Sequence, residues 1–376
     1  MKALRNDIDP DGMLEFSVVF TDRSLNHMSA AFQQVMRDIH DTLCAVYNAH
    51  TAVVVPGGGT YAMEAVARQF ATGRDALVIR NGWFSYRWSQ IFEAGSIPAS
   101  ETVLAARRTG NTPDAPFAPA PIDEVVAEIA RVKPAVVFAP HVETSSGVIL
   151  PDDYLQAISQ AVHAHGGLFV LDCIASGCAW VDMVACGVDV LISAPQKGWS
   201  AQPSAGLVML SEAALARLGE TQSTSFAIDL AKWQSIMAAY TGGGHAYHAT
   251  LPTDSLRAFR DAMFETRDYG FDKLCKAQWE QGRRVRALLA ARGIKSVAAP
   301  GFEAPGVVVS YTDDPAFKTG KAFAAQGVQI AAGVPLQCGE GPEFSTFRLG
   351  LFGLDKLMDV DASVARLEAA LDAATD

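Results

Sequence analysis

Lys197 closes the run Ile192-Ser193-Ala194-Pro195-Gln196-Lys197, and Asp172 closes another, Gly167-Leu168-Phe169-Val170-Leu171-Asp172, 25 residues upstream. The interval is about one strand-and-helix unit, so the two groups are expected at the ends of neighbouring apolar strands. A charged side chain placed there is costly unless chemistry uses it. An amine beside a carboxylate suggests pyridoxal phosphate chemistry, in which a lysine forms a Schiff base with the cofactor and an aspartate pairs with its protonated ring nitrogen. Taken alone, Lys197 is weak evidence, since most lysines near strand ends are solvated, and the reading depends on the motifs around it.

The second motif is Val53-Val54-Val55-Pro56-Gly57-Gly58-Gly59-Thr60-Tyr61-Ala62-Met63, a β-branched run that breaks into glycines and restarts with helical spacing. Glycines let backbone N–H groups approach an anion, Thr60 offers a hydroxyl, and a helix N-terminus adds a favourable dipole. The plain alternative is a strand-to-helix turn. The run is neither Gly-x-Gly-x-x-Gly nor a P-loop, because no lysine stands at the required offset.

Arg348 lies in Thr346-Phe347-Arg348-Leu349-Gly350-Leu351-Phe352-Gly353, a strand-like apolar run in which an unpaired charge is expensive. A planar guanidinium there suits a carboxylate, with a surface salt bridge as the alternative. The six cysteines, Cys44, Cys173, Cys178, Cys186, Cys275 and Cys338, form no Cys-x-x-Cys pair and have no histidines at ligand spacing, so neither a metal site nor a disulfide framework is expected. Cys338 stands out because it lies in a Gly-rich stretch ten residues before Arg348.

Composition bounds the rest. The 376 residues are 49% hydrophobic and 19% charged, with a net charge of −11. That is a globular chain with no positive field to gather nucleic acid or an anionic membrane. Neither an apolar leader in Met1 to Asp7 nor a membrane-length apolar run is apparent, and a cytoplasmic protein is expected.

Short β-branched runs alternate with helical patterns, which predicts an α/β fold with a mostly parallel sheet flanked by helices. Strands are expected at 52–55, 76–80, 135–140, 168–172, 188–194 and 207–211, with helices at 122–132 and 152–165. A long helical stretch then runs from about Thr253 to Arg292, followed by a strand near 306–312. The closing helix carries Val360, Val364, Leu367 and Leu371 on one face. The expected organisation is a large cofactor domain, 1–265, followed by a smaller C-terminal α/β domain, 266–376.

Together these motifs resemble the class V aminotransferases of the fold-type I pyridoxal phosphate enzymes, in particular the alanine:glyoxylate and serine:pyruvate group. The resemblance runs from Asn26-His27-Met28-Ser29 through Pro56 to Thr60, Asn81-Gly82-Trp83-Phe84-Ser85-Tyr86-Arg87, His141 to Gly147, Asp172, Gln196-Lys197 and Tyr247-His248-Ala249-Thr250 to Phe347-Arg348-Leu349-Gly350. It implies pyridoxal 5′-phosphate bound through Lys197, with Asp172 on the ring nitrogen. Gly58, Gly59, Thr60 and Gln196 would hold the phosphate, joined by Tyr247 and Thr250 from the neighbouring subunit of a homodimer. Phe84 stands where the family usually stacks a tryptophan, with Trp83 as the alternative register, and Ile174 would cover the opposite face. Thr144 or Ser145 would bond the phenolic oxygen, unless the segment is simply a capped turn. Arg348 would receive the substrate carboxylate.

The implied activity is ping-pong transfer of an amino group from a small L-amino acid to glyoxylate or pyruvate. Phe20-Thr21-Asp22-Arg23-Ser24-Leu25 replaces the Gly-Pro-rich stretch usual in the family, which leaves the donor open. Two alternatives stand beside it. One is a lyase or cysteine desulfurase of the same fold with Cys338 as nucleophile, and the other a non-catalytic binding module.

Overall fold

The strands Val136–Pro140 and Leu168–Asp172 are buried along their whole length, as apolar runs covered on both faces must be. They are the centre of the fold. In the computed structural model, which describes residue 5, residues 7–17 and residues 20–375, they belong to a seven-stranded sheet. Its order is Thr51–Pro56, Ala205–Leu210, Val190–Ser193, Leu168–Asp172, Val136–Pro140, Asp75–Arg80 and Ser100–Ala105. Pairing is parallel from Val190–Ser193 through to Ser100–Ala105 and antiparallel on both sides of Ala205–Leu210. The residues read for a leader, 1–4 and 6, lie outside the described part of the chain.

All six expected strands of this sheet form, and the helices Ile122–Val132 and Asp152–His163 follow the expected ranges to within two residues. The additional strand, Ser100–Ala105, sits at the sheet edge and is half exposed. Register places Pro140 beside Asp172 and Asp172 beside Ile192, so the C-terminal ends of three parallel strands open on one side of the sheet. In open α/β sheets that rim is where ligands bind.

The helices Thr253–Tyr269 and Phe271–Ala290 are separated at Gly270, whose φ of 109° disfavours any side chain. Residue 265, the division expected from the sequence, falls inside the first of them. Beyond lies a three-stranded antiparallel sheet, Val307–Tyr311, Thr346–Gly350 and Ala331–Ala332, in which Arg348 stands opposite both Val309 and Ala331. The closing helix Val360–Thr375 buries Val364 and Leu371 against this sheet and Phe271–Ala290. Among the described residues no helix is long and apolar enough to cross a membrane, and no group of three His, Cys, Asp or Glu residues is placed to hold a metal.

Candidate active site

At the C-terminal rim of the sheet a cavity of about 140 Å³ is lined by Gly59, Thr60, Phe84, Thr144, Asp172, Ile174, Gln196 and Lys197. These eight sequence-derived candidates come from five separate stretches of chain. Met63, Arg87, Pro140, Val142 and Ala175 complete the lining.

The cradle end forms because Thr51–Pro56 runs into Gly57, whose φ of 118° turns the chain into helix Gly59–Phe70. Gly58 is the N-cap of that helix and offers no side chain; the Tyr61 N–H donates to the Gly58 carbonyl at 3.0 Å, which leaves the Gly59 and Thr60 N–H groups for an outside acceptor. A Cβ on Gly59 would collide with the Ile174 side chain, whereas one on Gly58 would meet nothing. The Arg87 Nη1 donates to the Thr60 hydroxyl at 3.1 Å.

At the other end, Asp172 Oδ1 accepts the Ile174 N–H at 2.9 Å. Burial pushes its carboxyl up from 3.8 to about 7; the Ile174 N–H opposes the rise, the Glu143 charge adds to it, and Arg87 and Lys197 pull back. Lys197 is moved the other way: burial and the charges of Arg348 and Arg87 hold its ammonium below the ordinary 10.5, against the pull of Asp172. A buried carboxylate short of positive charge and an amine biased toward its neutral form therefore share one cavity. Its polar groups fit pyridoxal phosphate: a carboxylate for a protonated ring nitrogen, an amine for the carbonyl, and a helix N-terminus with hydroxyl and amide groups for the phosphate.

The wall that carries Phe84 depends on a residue the sequence reading passed over. Glu143 is fully buried and accepts five hydrogen bonds: the N–H groups of Phe84 (3.2 Å), Ser85 (2.9 Å) and Ser145 (3.0 Å), and the hydroxyls of Ser85 and Ser145, both at 2.7 Å. Ser145 Oγ in turn accepts the Trp83 N–H at 2.8 Å. A carboxylate thus caps helix Trp83–Gly95, where the helix dipole favours negative charge. Gly82 cannot carry a Cβ there without striking Ser145 and Glu143. Ser145 is accordingly engaged with the helix cap, and Thr144 is the one that lines the cavity.

Arg348 lies just outside the lining. Its Nε donates to the Ala332 carbonyl at 2.8 Å and its guanidinium stands 5.5 Å from the Phe84 ring centroid. Arg87 stands 5.2 Å from the same ring. Of the sequence-derived candidates, Gly58 caps helix Gly59–Phe70 without entering the lining, and Tyr247 and Thr250 are not brought to this cavity. They face a separate cleft with Phe20 and His27, where the two side-chain oxygens lie 3.4 Å apart and Tyr247 is 58% exposed. Phe20, from the stretch that departs from the family, stacks on His27 at 5.2 Å beside them. Cys338 bonds the Arg80 and Leu336 carbonyls, and burial, with the Glu143 and Glu340 charges, pushes its thiol up to about 12.

Two missed residues carried different signals. Arg87 follows Phe84 by three positions, so on a helix both share a face, and that spacing was available in the sequence. Glu143 gave none, since a carboxylate between Val142 and Thr144 reads as an ordinary turn residue.

The model of the aminotransferase class-V family matches residues 14–334. The chain belongs to the class-V aminotransferases. Relatives of this aminotransferase include a 2-aminoethylphosphonate–pyruvate transaminase of Syntrophobacter fumaroxidans, 28% identical over 332 residues, which span 86% of this chain and 84% of that protein. An alanine–glyoxylate aminotransferase of Callithrix jacchus is 28% identical over 290 residues, or 75% of this chain and 67% of that protein. The class-V fold is evident in the alanine–glyoxylate aminotransferase structure from Nostoc sp., which superposes with a TM-score of 0.78 at 23% identity over 94% of this chain and 89% of that one.

Proposed function

We propose that the protein is a pyridoxal phosphate-dependent transaminase that takes the amino group of a small L-amino acid and passes it to glyoxylate or pyruvate. The observation that carries this reading is the pairing, in one cavity, of a buried Asp172 raised toward neutrality with a Lys197 whose ammonium is destabilised. The acceptors are those in the names of the relatives, alanine–glyoxylate aminotransferase and 2-aminoethylphosphonate–pyruvate transaminase.

When bound, pyridoxal phosphate supplies an electrophilic carbonyl and an electron-withdrawing ring. Lys197 Nζ would hold the carbonyl and, when free as the amine, would take the proton from the donor's Cα. General acid–base catalysis of that kind contributes about 10²–10⁴-fold. Asp172 would keep a proton on the ring nitrogen, and that positive charge would compensate its burial. Phe84 and Ile174 would cover the two faces of the ring, Thr144 would bond its phenolic oxygen, and Gly58, Gly59, Thr60 and Gln196 would hold the phosphate. Arg348 would receive the donor's carboxylate in a two-pronged pair.

Tyr247 and Thr250 complete the phosphate site of a second copy of the chain, which makes the working unit a homodimer. Their exposure and their separation from Lys197 within one chain support this. The enzyme works in the cytoplasm, and its two domains, 1–265 and 266–376, meet along helix Thr253–Tyr269. Cys338 has no part in the chemistry, since a thiol held near 12 supplies little thiolate at neutral pH.

A second reading of the donor, 2-aminoethylphosphonate, is favoured by the Syntrophobacter fumaroxidans relative; its phosphonate would take the carboxylate's place on Arg348. Spectra of the reconstituted protein separate the readings. The visible absorption of the lysine-bound cofactor bleaches with L-alanine or L-serine in the first case and only with 2-aminoethylphosphonate in the second, and it returns with glyoxylate or pyruvate. A band that survives all three amines contradicts the transaminase reading.

A further inference from the structure

We propose that Arg87 is the cationic partner of the cofactor phosphate, an inference that rests on the pyridoxal phosphate reading of the cavity. Three observations converge on it. Arg87 lines the cavity, and the only other cation in the lining is Lys197, which is committed to the carbonyl. Its guanidinium reaches the cradle itself, since Nη1 donates to Thr60 Oγ1 at 3.1 Å, and Thr60 opens helix Gly59–Phe70. Its plane is steadied 5.2 Å from the Phe84 ring, so the group is oriented before any ligand arrives.

A phosphate monoester carries about −1.5 to −2 charges near neutral pH, given a second pKa of about 6. The neutral donors of the cradle, backbone N–H groups with Thr60 and Gln196, supply hydrogen bonds but no full charge, and the helix dipole contributes roughly half of one. A guanidinium at Thr60 supplies the rest. The Thr60 hydroxyl accepts from Arg87, which leaves its own proton free to point at a phosphate oxygen, so Arg87 acts both as a counter-charge and as the group that sets the Thr60 rotamer.

The rival assignment gives Arg87 to a distal anionic group of the donor. The position of its bond, at the cradle end and not at the Arg348 side, favours the phosphate. The two are separated by a binding experiment on apoprotein that compares pyridoxal 5′-phosphate with pyridoxal, which lacks the phosphate, in wild type, Arg87→Gln and Arg87→Lys. Binding is read from the quench of tryptophan fluorescence and from the visible absorption of the lysine-bound form, without turnover.

If Arg87 pairs with the phosphate, Arg87→Gln weakens pyridoxal 5′-phosphate about tenfold or more, as expected for one charge-assisted contact. Pyridoxal affinity stays within about twofold of wild type on the same argument, and Arg87→Lys recovers part of the loss because it restores charge without the fork. Inorganic phosphate competes with pyridoxal 5′-phosphate in wild type and less in Arg87→Gln. Equal weakening of both ligands overturns the proposal in favour of a purely structural arginine. Unchanged pyridoxal 5′-phosphate affinity with a raised donor KM overturns it in favour of the donor. Wild-type protein that takes up neither ligand overturns the reading of the cavity itself, and this inference with it.

Discussion

Glu143 holds Ser85 twice, through its backbone N–H at 2.9 Å and its hydroxyl at 2.7 Å, on one carboxylate oxygen. The other oxygen gathers Phe84 and Ser145, so a single buried charge fixes where helix Trp83–Gly95 begins and hence where Phe84 and Arg87 face. Replacement by alanine strands several buried donors at once. With each worth about 1–3 kcal/mol when left unsatisfied, Glu143→Ala is expected to lose about 3 kcal/mol or more in urea titrations. A loss under about 0.5 kcal/mol, the range of an ordinary surface change, contradicts this role.

Asp172 gives stability a pH signature. Its folded carboxyl titrates near 7 and its ordinary value is 3.8, so below 3.8 it is neutral in both folded and unfolded chains and costs nothing. As pH rises from 3.8 toward 7, the unfolded chain ionises while the folded carboxyl keeps its proton, and stability falls; above about 7 both states are ionised and the penalty levels off. Asp172→Asn apoprotein escapes this penalty. Its advantage over wild type in urea titrations should grow between pH 4 and pH 8 to a ceiling of about 4 kcal/mol. A constant difference across that range contradicts the buried-carboxylate account. Transamination, by contrast, is lost in the variant.

The fold and the site were legible to different depths. Leu168–Asp172 and Ile122–Val132 match their sequence ranges residue for residue, because one is an apolar run buried on both faces and the other has clean helical spacing. Ser100–Ala105 escaped because an edge strand with Ser100 and Glu101 exposed lacks that apolar signature. Lys197, Asp172 and the glycine cradle were readable because each interrupts an apolar pattern. Glu143 was not, since its worth comes from five donors that only the tertiary fold assembles. The seating of Arg348 beside Phe84 depends likewise on a sheet formed far along the chain.

Arg348 makes a prediction about binding more than about rate. Arg348→Ala should raise the donor KM by about tenfold or more, the value of one charge-assisted pair, with a smaller change in kcat. Arg348→Lys should recover little, since an ammonium cannot make the two-pronged contact. Steady-state kinetics with L-alanine decide the matter, and an unchanged KM would remove Arg348 from the donor site.

Tyr247 and Thr250 predict complementation between subunits. Lys197→Ala and the double variant Tyr247→Ala/Thr250→Ala should each be impaired. Co-refolded together they should form hybrid dimers with one site that draws an intact Lys197 from one chain and an intact Tyr247 and Thr250 from the other. Activity above both parents is the expected result. A mixture no more active than its parents shows that the second cleft serves its own chain.

The central claim is that Lys197 carries the cofactor, and borohydride trapping tests it most directly. Protein incubated with pyridoxal 5′-phosphate, reduced, digested and mapped by mass spectrometry should carry the cofactor's mass on the peptide containing Lys197. The Lys197→Ala protein should carry none there and should show no visible absorption of the lysine-bound form. Label on a different lysine, or none on wild type, would contradict the account.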